Sequence, residues 1–292
     1  MNPYLVALDF DGTAAKTFTD SPHHITVSTA YLSAIEQLFG RQGLEIYIEE
    51  GEHRNRAPTE IIRSLLEQGC GNQSPFSSKE LTEQLMQLKL ASLLGEIGPQ
   101  WPQPCEGFLN FWHVLENLRL YYGVSVRTAI ISSGHETFIK KTFDAWGIPL
   151  PHYLVTEDDI RPRKNPRELE RRFKPGCLPL AITHRRWLRD TQGSGYSTAD
   201  AASSKSYMIY FGDDIEKDGG MAYRARLPFG LFKEGAPYEP LPNGLTFGDW
   251  NVVATWLRNN HHAMLEGRSF SEIFNQRCAT IEGNRSRGER MR

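Results

Sequence analysis

Residues 4–13 read Tyr-Leu-Val-Ala-Leu-Asp-Phe-Asp-Gly-Thr, a short apolar run that ends in two carboxylates, Asp9 and Asp11, and then a glycine. An uninterrupted apolar run of this length is typical of a strand that is covered on both faces, as in a parallel sheet. The carboxyl ends of parallel strands face the ligand crevice. This stretch therefore predicts a buried first strand that delivers both acidic side chains to a functional site, with Gly12 allowing a sharp turn.

Four further apolar runs have the same character, and they are Val124–Ile131, Tyr153–Thr156, Tyr207–Phe211 and Phe229–Phe232. Helical patterns lie between several of them, one over Glu136–Trp146 and another over Asp249–Arg258. Strands that alternate with helices predict an α/β fold, here a Rossmann-like parallel sheet with right-handed crossovers.

The stretch 17–104 interrupts this alternation with three helical patterns. The first has an apolar stripe that begins at Val27, the second begins at Pro58, and the third follows a capping-box pair, Ser77 and Glu80. We therefore predict an α-helical domain over 17–104, inserted into an α/β core that comprises 1–16 and 105–260.

Two segments fit neither pattern. Residues 174–204 are rich in glycine, serine and basic residues, which predicts a loop or flap within the core. Residues 261–292 are predicted as a C-terminal tail, and the stretch from roughly Gly267, which ends in Gly-Asn-Arg-Ser-Arg-Gly-Glu-Arg-Met-Arg, is predicted to be frayed.

The composition of the 292 residues excludes several classes of protein. The net charge of −2 argues against a nucleic-acid coat protein. The apolar runs are far shorter than the ~20 residues that span a bilayer, so we expect no membrane partner. The four cysteines form no CxxC pair, which argues against a zinc site or a redox dithiol. We expect a cytoplasmic protein with free thiols, as a monomer or a homodimer.

Acidic residues also follow the fourth strand, where Asp213 and Asp214 come directly after it and Asp218 lies just beyond. Because the carboxyl ends of parallel strands lie at one edge of the sheet, these side chains should converge with those of the first strand. Converging carboxylates repel one another unless a cation neutralises them, and hard oxygen ligands suit Mg²⁺. The sequence predicts Mg²⁺ as the cofactor and leaves open which of the three binds it directly.

The second strand ends in Ser132, Ser133 and Gly134, ahead of a helix. A hydroxyl group and successive backbone N–H groups at a helix start form an anion-binding corner. Ser132 could also be the N-cap of the helix, and the two roles are compatible. An acidic metal site beside an anion-binding corner is suited to a phosphoryl group.

Three motifs occur in order at the ends of predicted strands: Asp-Phe-Asp-Gly-Thr at 9–13, Ile-Ile-Ser-Ser-Gly at 130–134 and Phe-Gly-Asp-Asp-Ile-Glu-Lys-Asp at 211–218. Together they resemble the motifs of the haloacid dehalogenase (HAD) superfamily of phosphohydrolases. The resemblance covers about 3–15 and 105–258. The helical block lies where that superfamily carries its C1-type cap, so the resemblance implies a HAD fold with such a cap.

The resemblance also implies roles for individual residues. Asp9 corresponds to the nucleophile, Asp11 to the general acid/base, and Ser132 to the phosphate-binding hydroxyl. Mg²⁺ would be held by Asp9, the backbone carbonyl of Asp11 and an acidic residue of the last motif. Asp213 fits that position best, with Asp214 or Asp218 as a further ligand or a supporting partner.

The superfamily further uses a lysine or arginine downstream of the third strand. Lys164 is preferred here because it follows that strand and precedes a helical pattern. Lys174, which precedes a proline, and Lys205, just before the fourth strand, are the alternatives.

These roles imply a Mg²⁺-dependent phosphatase that hydrolyses a small phosphorylated metabolite through an aspartyl-phosphate intermediate. Asp11 favours phosphate esters over halogenated acids, whose dehalogenation needs no acid at this position. A phosphomutase of the same superfamily is the alternative enzyme. A catalytically inactive HAD-like module that binds a phosphorylated ligand is the alternative from another class of protein.

Overall fold

A computed structural model describes residues 3–17, 27–50, 58–71, 75–95, 101–160, 174–193, 195–241 and 243–273. The chain forms two compact units, Met1–Ala15 with Pro104–Arg292, and Lys16–Gln103. In the described part of either unit, no helix is long and apolar enough to cross a membrane.

The smaller unit contains the helices α1 (Val27–Glu49), α2 (Pro58–Glu67) and α3 (Ser78–Leu93). Their apolar stripes meet in one buried cluster that includes Tyr31, Ile35, Ile61, Leu65, Leu81 and Leu85. The backbone of Gly40, with φ 66°, interrupts α1. At the start of α3 the Ser77 hydroxyl accepts from the N–H of Glu80 at 3.3 Å, and the Glu80 carboxylate accepts from the N–H of Ser77 at 2.7 Å. The three predicted helices and the capping box are confirmed.

The larger unit is built on a seven-stranded sheet in the order β3-β2-β1-β4-β5-β7-β6. Its strands are β1 (Tyr4–Leu8), β2 (Val126–Ile131), β3 (Tyr153–Val155), β4 (Met208–Gly212), β5 (Phe229–Phe232), β6 (Glu239–Leu241) and β7 (Gly244–Phe247). All neighbours pair in parallel except β6, which pairs antiparallel with β7 at one edge. The predicted α/β class with a parallel sheet is confirmed.

Helices flank this sheet, and they are α4 (Phe108–Tyr121), α5 (Glu136–Ala145), α6 (Glu157–Ile160), α7 (Leu178–Gln192), α8 (Thr198–Ser204), α9 (Gly220–Ala225), α10 (Trp250–Asn259) and α11 (His261–Leu265). Alternate residues of a strand point to opposite faces of the sheet, so each face carries its own core. On β4, Tyr210 joins a cluster that contains Leu180 and Trp187 of α7. Its neighbour Phe211 packs against the rings of Phe111 and Trp250.

The prediction of a loop or flap over 174–204 is wrong, because α7 and α8 occupy most of this segment. Leu180, Trp187 and Leu188 are buried in the core of the larger unit. The basic residues between these apolar positions hide the helical stripe in the sequence. The segment is therefore part of the packed core and supports the sheet.

The predicted tail at 261–292 is likewise wrong for its first part. Residues 261–273 begin with α11, and Phe270 and Ile273 are buried. The Tyr4 hydroxyl donates to the carbonyl of Met264 at 3.0 Å, and the Phe270 ring lies 5.2 Å from that of Tyr4. This segment is thus anchored to β1, and residues 274–292 lie outside the described residues.

The strands β6 and β7 are absent from the sequence prediction. Both are short, and β6 contains Pro240 while β7 begins with Gly244. Proline is tolerated at the edge of a sheet, where a ladder hydrogen bond is not needed. Neither strand has the apolar run by which the other five are identified.

Candidate active site

The acidic residues that follow β1 and β4 meet at one edge of the sheet. The N–H of Asp9 donates to the carbonyl of Phe211 at 2.9 Å, so the pairing of the two strands continues to the point where the acidic residues begin. One carboxylate oxygen each from Asp9, Asp213 and Asp218 lie within 4.8 Å of one another. We call these three residues the acidic cluster. Asp9 lies more than 200 positions from the other two in the sequence, and the parallel pairing of β1 with β4 brings the three together.

The turn after β1 fits closely against Asp213. The backbone of Gly12 has φ 75°, and a Cβ atom at this position would lie 2.4 Å from Asp213 Oδ2. The hydroxyl of Thr13 donates to Asp213 Oδ1 at 3.2 Å. The Trp250 indole N–H in turn donates to the carbonyl of Thr13 at 2.9 Å. A residue without a side chain is therefore required at position 12, for both backbone conformation and space.

A buried ammonium group lies among the carboxylates of the acidic cluster. Lys174 Nζ lies 2.7 Å from Asp9 Oδ1 and 2.8 Å from Asp218 Oδ1, and its side chain is 11% exposed. Contacts of this length between opposite charges are strong hydrogen bonds as well as ion pairs. Lys174 therefore connects the residue that follows β1 with the residue beyond β4.

The preferred lysine of the sequence analysis, Lys164, lies outside the described residues. Lys205 is not in the acidic cluster, because its ammonium group donates to the carbonyl of Ala225 at 3.5 Å. Of the three candidates, the structure brings Lys174 to the site. Its signal in the sequence is the proline that follows it, Pro175.

Asp218 is held by several donors. It lies on a π-helical turn, Ile215–Gly219, and is 1% exposed. The Tyr210 hydroxyl donates to its Oδ1 at 2.9 Å, and the N–H of Asp214 donates to its Oδ2 at 3.3 Å. A Cβ atom at Gly212 would lie 2.4 Å from Asp218 Oδ2, so the end of β4 must approach this carboxylate closely.

Asp214 uses its carboxylate differently. Its Oδ1 accepts from the N–H groups of Glu216 and Lys217, both at 2.9 Å, so the side chain caps the π-helical turn. An aspartate that accepts from the first N–H groups of a turn acts as an N-cap. The structure therefore brings Asp213 and Asp218 to the cluster with Asp9, whereas it places Asp214 at the start of the turn that carries Asp218.

The end of β2 meets the second carboxylate of the first motif. The Ser132 hydroxyl donates to Asp11 Oδ2 at 3.2 Å and accepts from the N–H of Gly134 at 2.9 Å. The N–H of Ser132 donates to the carbonyl of Val155 at 3.0 Å, which fixes the serine backbone to β3. Ser133 is exposed. The predicted anion-binding corner thus lies beside Asp11.

The electrostatics of Asp9 and Lys174 reflect burial and the close approach of like charges. Burial raises the pKa of Asp9, Lys174 lowers it, and the carboxylates of Asp218, Asp213 and Asp11 raise it again, so that it lies well above its usual value. Burial lowers the pKa of Lys174, but Asp218 and Asp9 raise it by more, so that its net shift is upward. Lys174 is therefore a permanent cation, and it does not fully offset the repulsion among the carboxylates.

The pKa of Asp213 is also raised, by the same two causes. Burial and then the Asp218 carboxylate raise the pKa of Asp213 to about 6, although Lys174 and the Thr13 hydroxyl lower it. Among the residues that the structure describes, one ammonium group, that of Lys174, contacts two of the three carboxylates of this cluster. Oxygen ligands with unneutralised negative charge are the donor set that Mg²⁺ prefers. The residues present therefore fit a divalent cation.

Two contributors to the site have no functional role in the sequence analysis. Thr13 belongs to the first motif, and its position next to the predicted turn is a signal that could have been used. Tyr210 has no such signal, because an aromatic residue within an apolar run predicts only a buried strand position.

The sequence matches no family model and no curated protein. Solved structures to which the chain is similar include a HAD-superfamily hydrolase of subfamily IA from Geobacter sulfurreducens, with 15% identity, a TM-score of 0.48 and coverage of 87% of this chain and 96% of that one. A HAD phosphatase from Thermococcus onnurineus has 12% identity, a TM-score of 0.48 and coverage of 88% and 98%. A predicted phosphoglycolate phosphatase from Haemophilus somnus has 13% identity, a TM-score of 0.49 and coverage of 80% and 86%. The first two of these structures are named as members of the HAD superfamily, whose motifs this sequence resembles.

Proposed function

We propose that this chain is a HAD-type phosphohydrolase, a Mg²⁺-dependent phosphatase that acts on a small phosphorylated metabolite. The observation that carries the proposal is the placement of Lys174 between Asp9 and Asp218, in a cluster with Asp213. A second carboxylate, Asp11, lies beside the predicted anion-binding corner. This combination offers a nucleophile, a fixed cation, a candidate metal site and a proton carrier at one edge of the sheet.

Asp9 is the proposed nucleophile. Within the described part of the chain, the donors to its side chain reach Oδ1: the N–H of Phe10 at 2.8 Å and Lys174 Nζ at 2.7 Å. Oδ2 is then the oxygen that attacks. The bond from Oδ2 to phosphorus forms while the bond from phosphorus to the leaving oxygen breaks, which gives an aspartyl phosphate. The fixed charge of Lys174 reduces the repulsion between the carboxylate and the approaching phosphate dianion.

Asp11 is the proposed general acid and base. Its Oδ2 accepts a hydrogen bond from Ser132, which restricts the orientation of the carboxyl group. In the first step Asp11 gives a proton to the leaving oxygen. In the second it accepts a proton from the water whose oxygen attacks phosphorus, which releases inorganic phosphate and restores Asp9.

A metal ion would be held by the side chains of Asp9 and Asp213 together with the backbone carbonyl of Asp11. When bound, Mg²⁺ supplies positive charge that stabilises the phosphoryl oxygens in the transition state. Asp218 is assigned to Lys174 instead, since its carboxylate already accepts from Lys174, Tyr210 and the backbone of Asp214.

The proposal is tested by release of inorganic phosphate from a generic aryl phosphate and from a panel of phosphorylated metabolites. We expect turnover by the wild type with Mg²⁺ and its loss with EDTA. Asp9→Asn should lower kcat by about 10⁴-fold or more, as expected for the loss of a nucleophile. Asp144→Asn is the matched control, because Asp144 is exposed on α5, and it should retain wild-type activity. Near wild-type turnover by Asp9→Asn would exclude the assigned nucleophile.

The same screen separates the alternatives. A phosphomutase would convert a sugar phosphate into its isomer and would require a bisphosphate primer, with little net phosphate release. An inactive module would bind phosphorylated ligands without turnover in the presence of Mg²⁺. The intact set of Asp9, Asp11, Asp213 and Lys174 supports an active enzyme over such a module.

A further inference from the structure

We propose that Tyr210 is a positioning residue of this site, whose hydroxyl group orients Asp218 so that Asp218 holds Lys174 against Asp9. The inference rests on the proposed function for its catalytic consequence. Its structural content, that Tyr210 fixes the position of Lys174, can be measured without any substrate.

Tyr210 contacts both partners of the buried ion pair. Its hydroxyl donates to Asp218 Oδ1 at 2.9 Å, and this carboxylate oxygen, Asp218 Oδ1, lies 2.8 Å from Lys174 Nζ. The Lys174 ammonium also lies 5.6 Å from the centroid of the Tyr210 ring, within the range of a cation–π interaction. The Tyr210 side chain on β4 therefore contacts both members of the ion pair, and its hydroxyl fixes the carboxylate of Asp218.

The hydroxyl has no packing role that a phenylalanine could not fill. The ring is fully buried and stacks on that of Phe229, with centroids 6.3 Å apart and an interplanar angle of 19°. A buried hydroxyl is costly unless it is hydrogen-bonded, and here its acceptor is the carboxylate of Asp218. The ring therefore contributes to core packing, whereas the hydroxyl contributes a hydrogen bond to the site.

Among the described residues, two uncharged donors contact Asp218, and the Tyr210 hydroxyl at 2.9 Å is closer than the N–H of Asp214, which lies 3.3 Å from Oδ2. Without the hydroxyl, Oδ1 keeps only Lys174 as a donor within the described contacts. The Asp218 carboxylate can then rotate about its remaining hydrogen bond from the N–H of Asp214, and Lys174 moves with it. The Lys174 ammonium is then no longer held in a fixed position beside Asp9, which should lower kcat more than it changes KM.

The test compares Tyr210→Phe with Tyr153→Phe. Tyr153 is a matched control because it is a tyrosine of the same core cluster, lies on β3 and is 5% exposed. The first readout is the rate at which an amine-acetylating reagent labels Lys174 in the metal-free protein, measured by peptide mass spectrometry. Lys205 in the same sample is the internal reference, and circular dichroism verifies folding.

We expect Tyr210→Phe to increase the labelling rate of Lys174 at least about 3-fold and to leave Lys205 unchanged, while Tyr153→Phe alters neither. Adding Tyr210→Phe to an Asp218→Asn background should produce no further increase, because Tyr210 acts through Asp218. In steady-state assays Tyr210→Phe should lower kcat about 10-fold with KM nearly unchanged.

Unchanged labelling of Lys174 in Tyr210→Phe would overturn the inference, and so would an equal increase in Tyr153→Phe or an additive effect in the Asp218→Asn background. If Tyr210→Phe does not fold, the labelling of Lys174 in Asp218→Asn decides, since loss of the anchor must expose the lysine. A wild type that hydrolyses no phosphate ester would refute the proposed function, and the labelling comparison would still decide the role of Tyr210.

Discussion

Replacement of Lys174 by methionine removes the one ammonium group that contacts the acidic cluster in the described structure, and keeps a side chain of similar length. Lys174 Nζ contacts carboxylate oxygens at 2.7 Å and 2.8 Å. With an effective dielectric constant near 20, each contact corresponds to ~6 kcal/mol of Coulomb attraction. Much of this is offset by the cost of burying the charges, and removal of one partner of a buried pair typically costs ~3–5 kcal/mol. We expect Lys174→Met to lower the free energy of unfolding by ~3 kcal/mol at pH 8 without divalent cations.

The effect should depend on pH with a definite sign. The pKa of Asp9 lies above its usual value in the folded protein, and that of Asp213 is raised to about 6, so the folded state binds protons more tightly than the unfolded state. Lowering the pH through these values therefore stabilises the fold. Without Lys174 the carboxylates repel one another more strongly. The loss in the free energy of unfolding that Lys174→Met causes should therefore become smaller between pH 8 and pH 5.

Urea unfolding followed by circular dichroism in EDTA measures this loss at both pH values. Lys205→Met is the control, because that ammonium group donates only to a backbone carbonyl in the described structure, and its effect should stay within ~0.5 kcal/mol. If Lys174→Met were as stable as Lys205→Met at pH 8, Lys174 would not lie between the carboxylates, and the electrostatic reasoning would be refuted.

Three further substitutions test other parts of the structure. Gly12→Ala places a Cβ atom 2.4 Å from Asp213 Oδ2 at a residue with φ 75°, so kcat should fall about 10²-fold by displacement of that carboxylate. Burial and then the charge of Lys205 lower the pKa of His184 to about 4, so the contribution of His184 to stability should be fully present above pH ~6.5 and be lost as the pH falls towards 4. Glutamine cannot be protonated, so in His184→Gln the decrease in the free energy of unfolding on acidification should be smaller by up to ~3 kcal/mol, measured by urea unfolding. Ser77→Ala breaks the capping box of α3 and should cost ~1 kcal/mol, measured by urea unfolding.

Each of these expectations has a contrary result. Wild-type kcat in Gly12→Ala would mean that the turn tolerates a side chain beside Asp213. The same acid profile in His184→Gln and wild type would place the titrating group elsewhere. No loss of stability in Ser77→Ala would show that the start of α3 frays in solution.

The elements that the sequence identifies correctly carry their signals locally. β1 is an apolar run of strand length with two carboxylates at its end, and the burial of Tyr4–Leu8 follows from that run alone. The convergence of Asp9 with Asp213 follows from one rule, that the carboxyl ends of parallel strands share an edge. Neither inference requires knowledge of side-chain packing.

The identity of the site lysine could not be predicted in the same way. A lysine side chain is long, and which ammonium reaches the carboxylates depends on the path of the chain between β3 and α7. The preference for Lys164 rests on its distance from the third strand, whereas the structure brings Lys174 to the cluster from the segment directly before α7. The hydrogen bond of Tyr210 depends on tertiary structure in the same manner, because it joins a strand to the turn that follows it.

In the proposed reaction the Asp9 carboxylate takes up the phosphoryl group. This step is tested most directly by quenching the wild-type enzyme during turnover of an aryl phosphate with Mg²⁺ and reducing it with borohydride, which converts an aspartyl phosphate into homoserine. We expect homoserine at position 9 by peptide mass spectrometry, and none when substrate is omitted. Steady phosphate release without modification at position 9, or with modification at another residue, would contradict it.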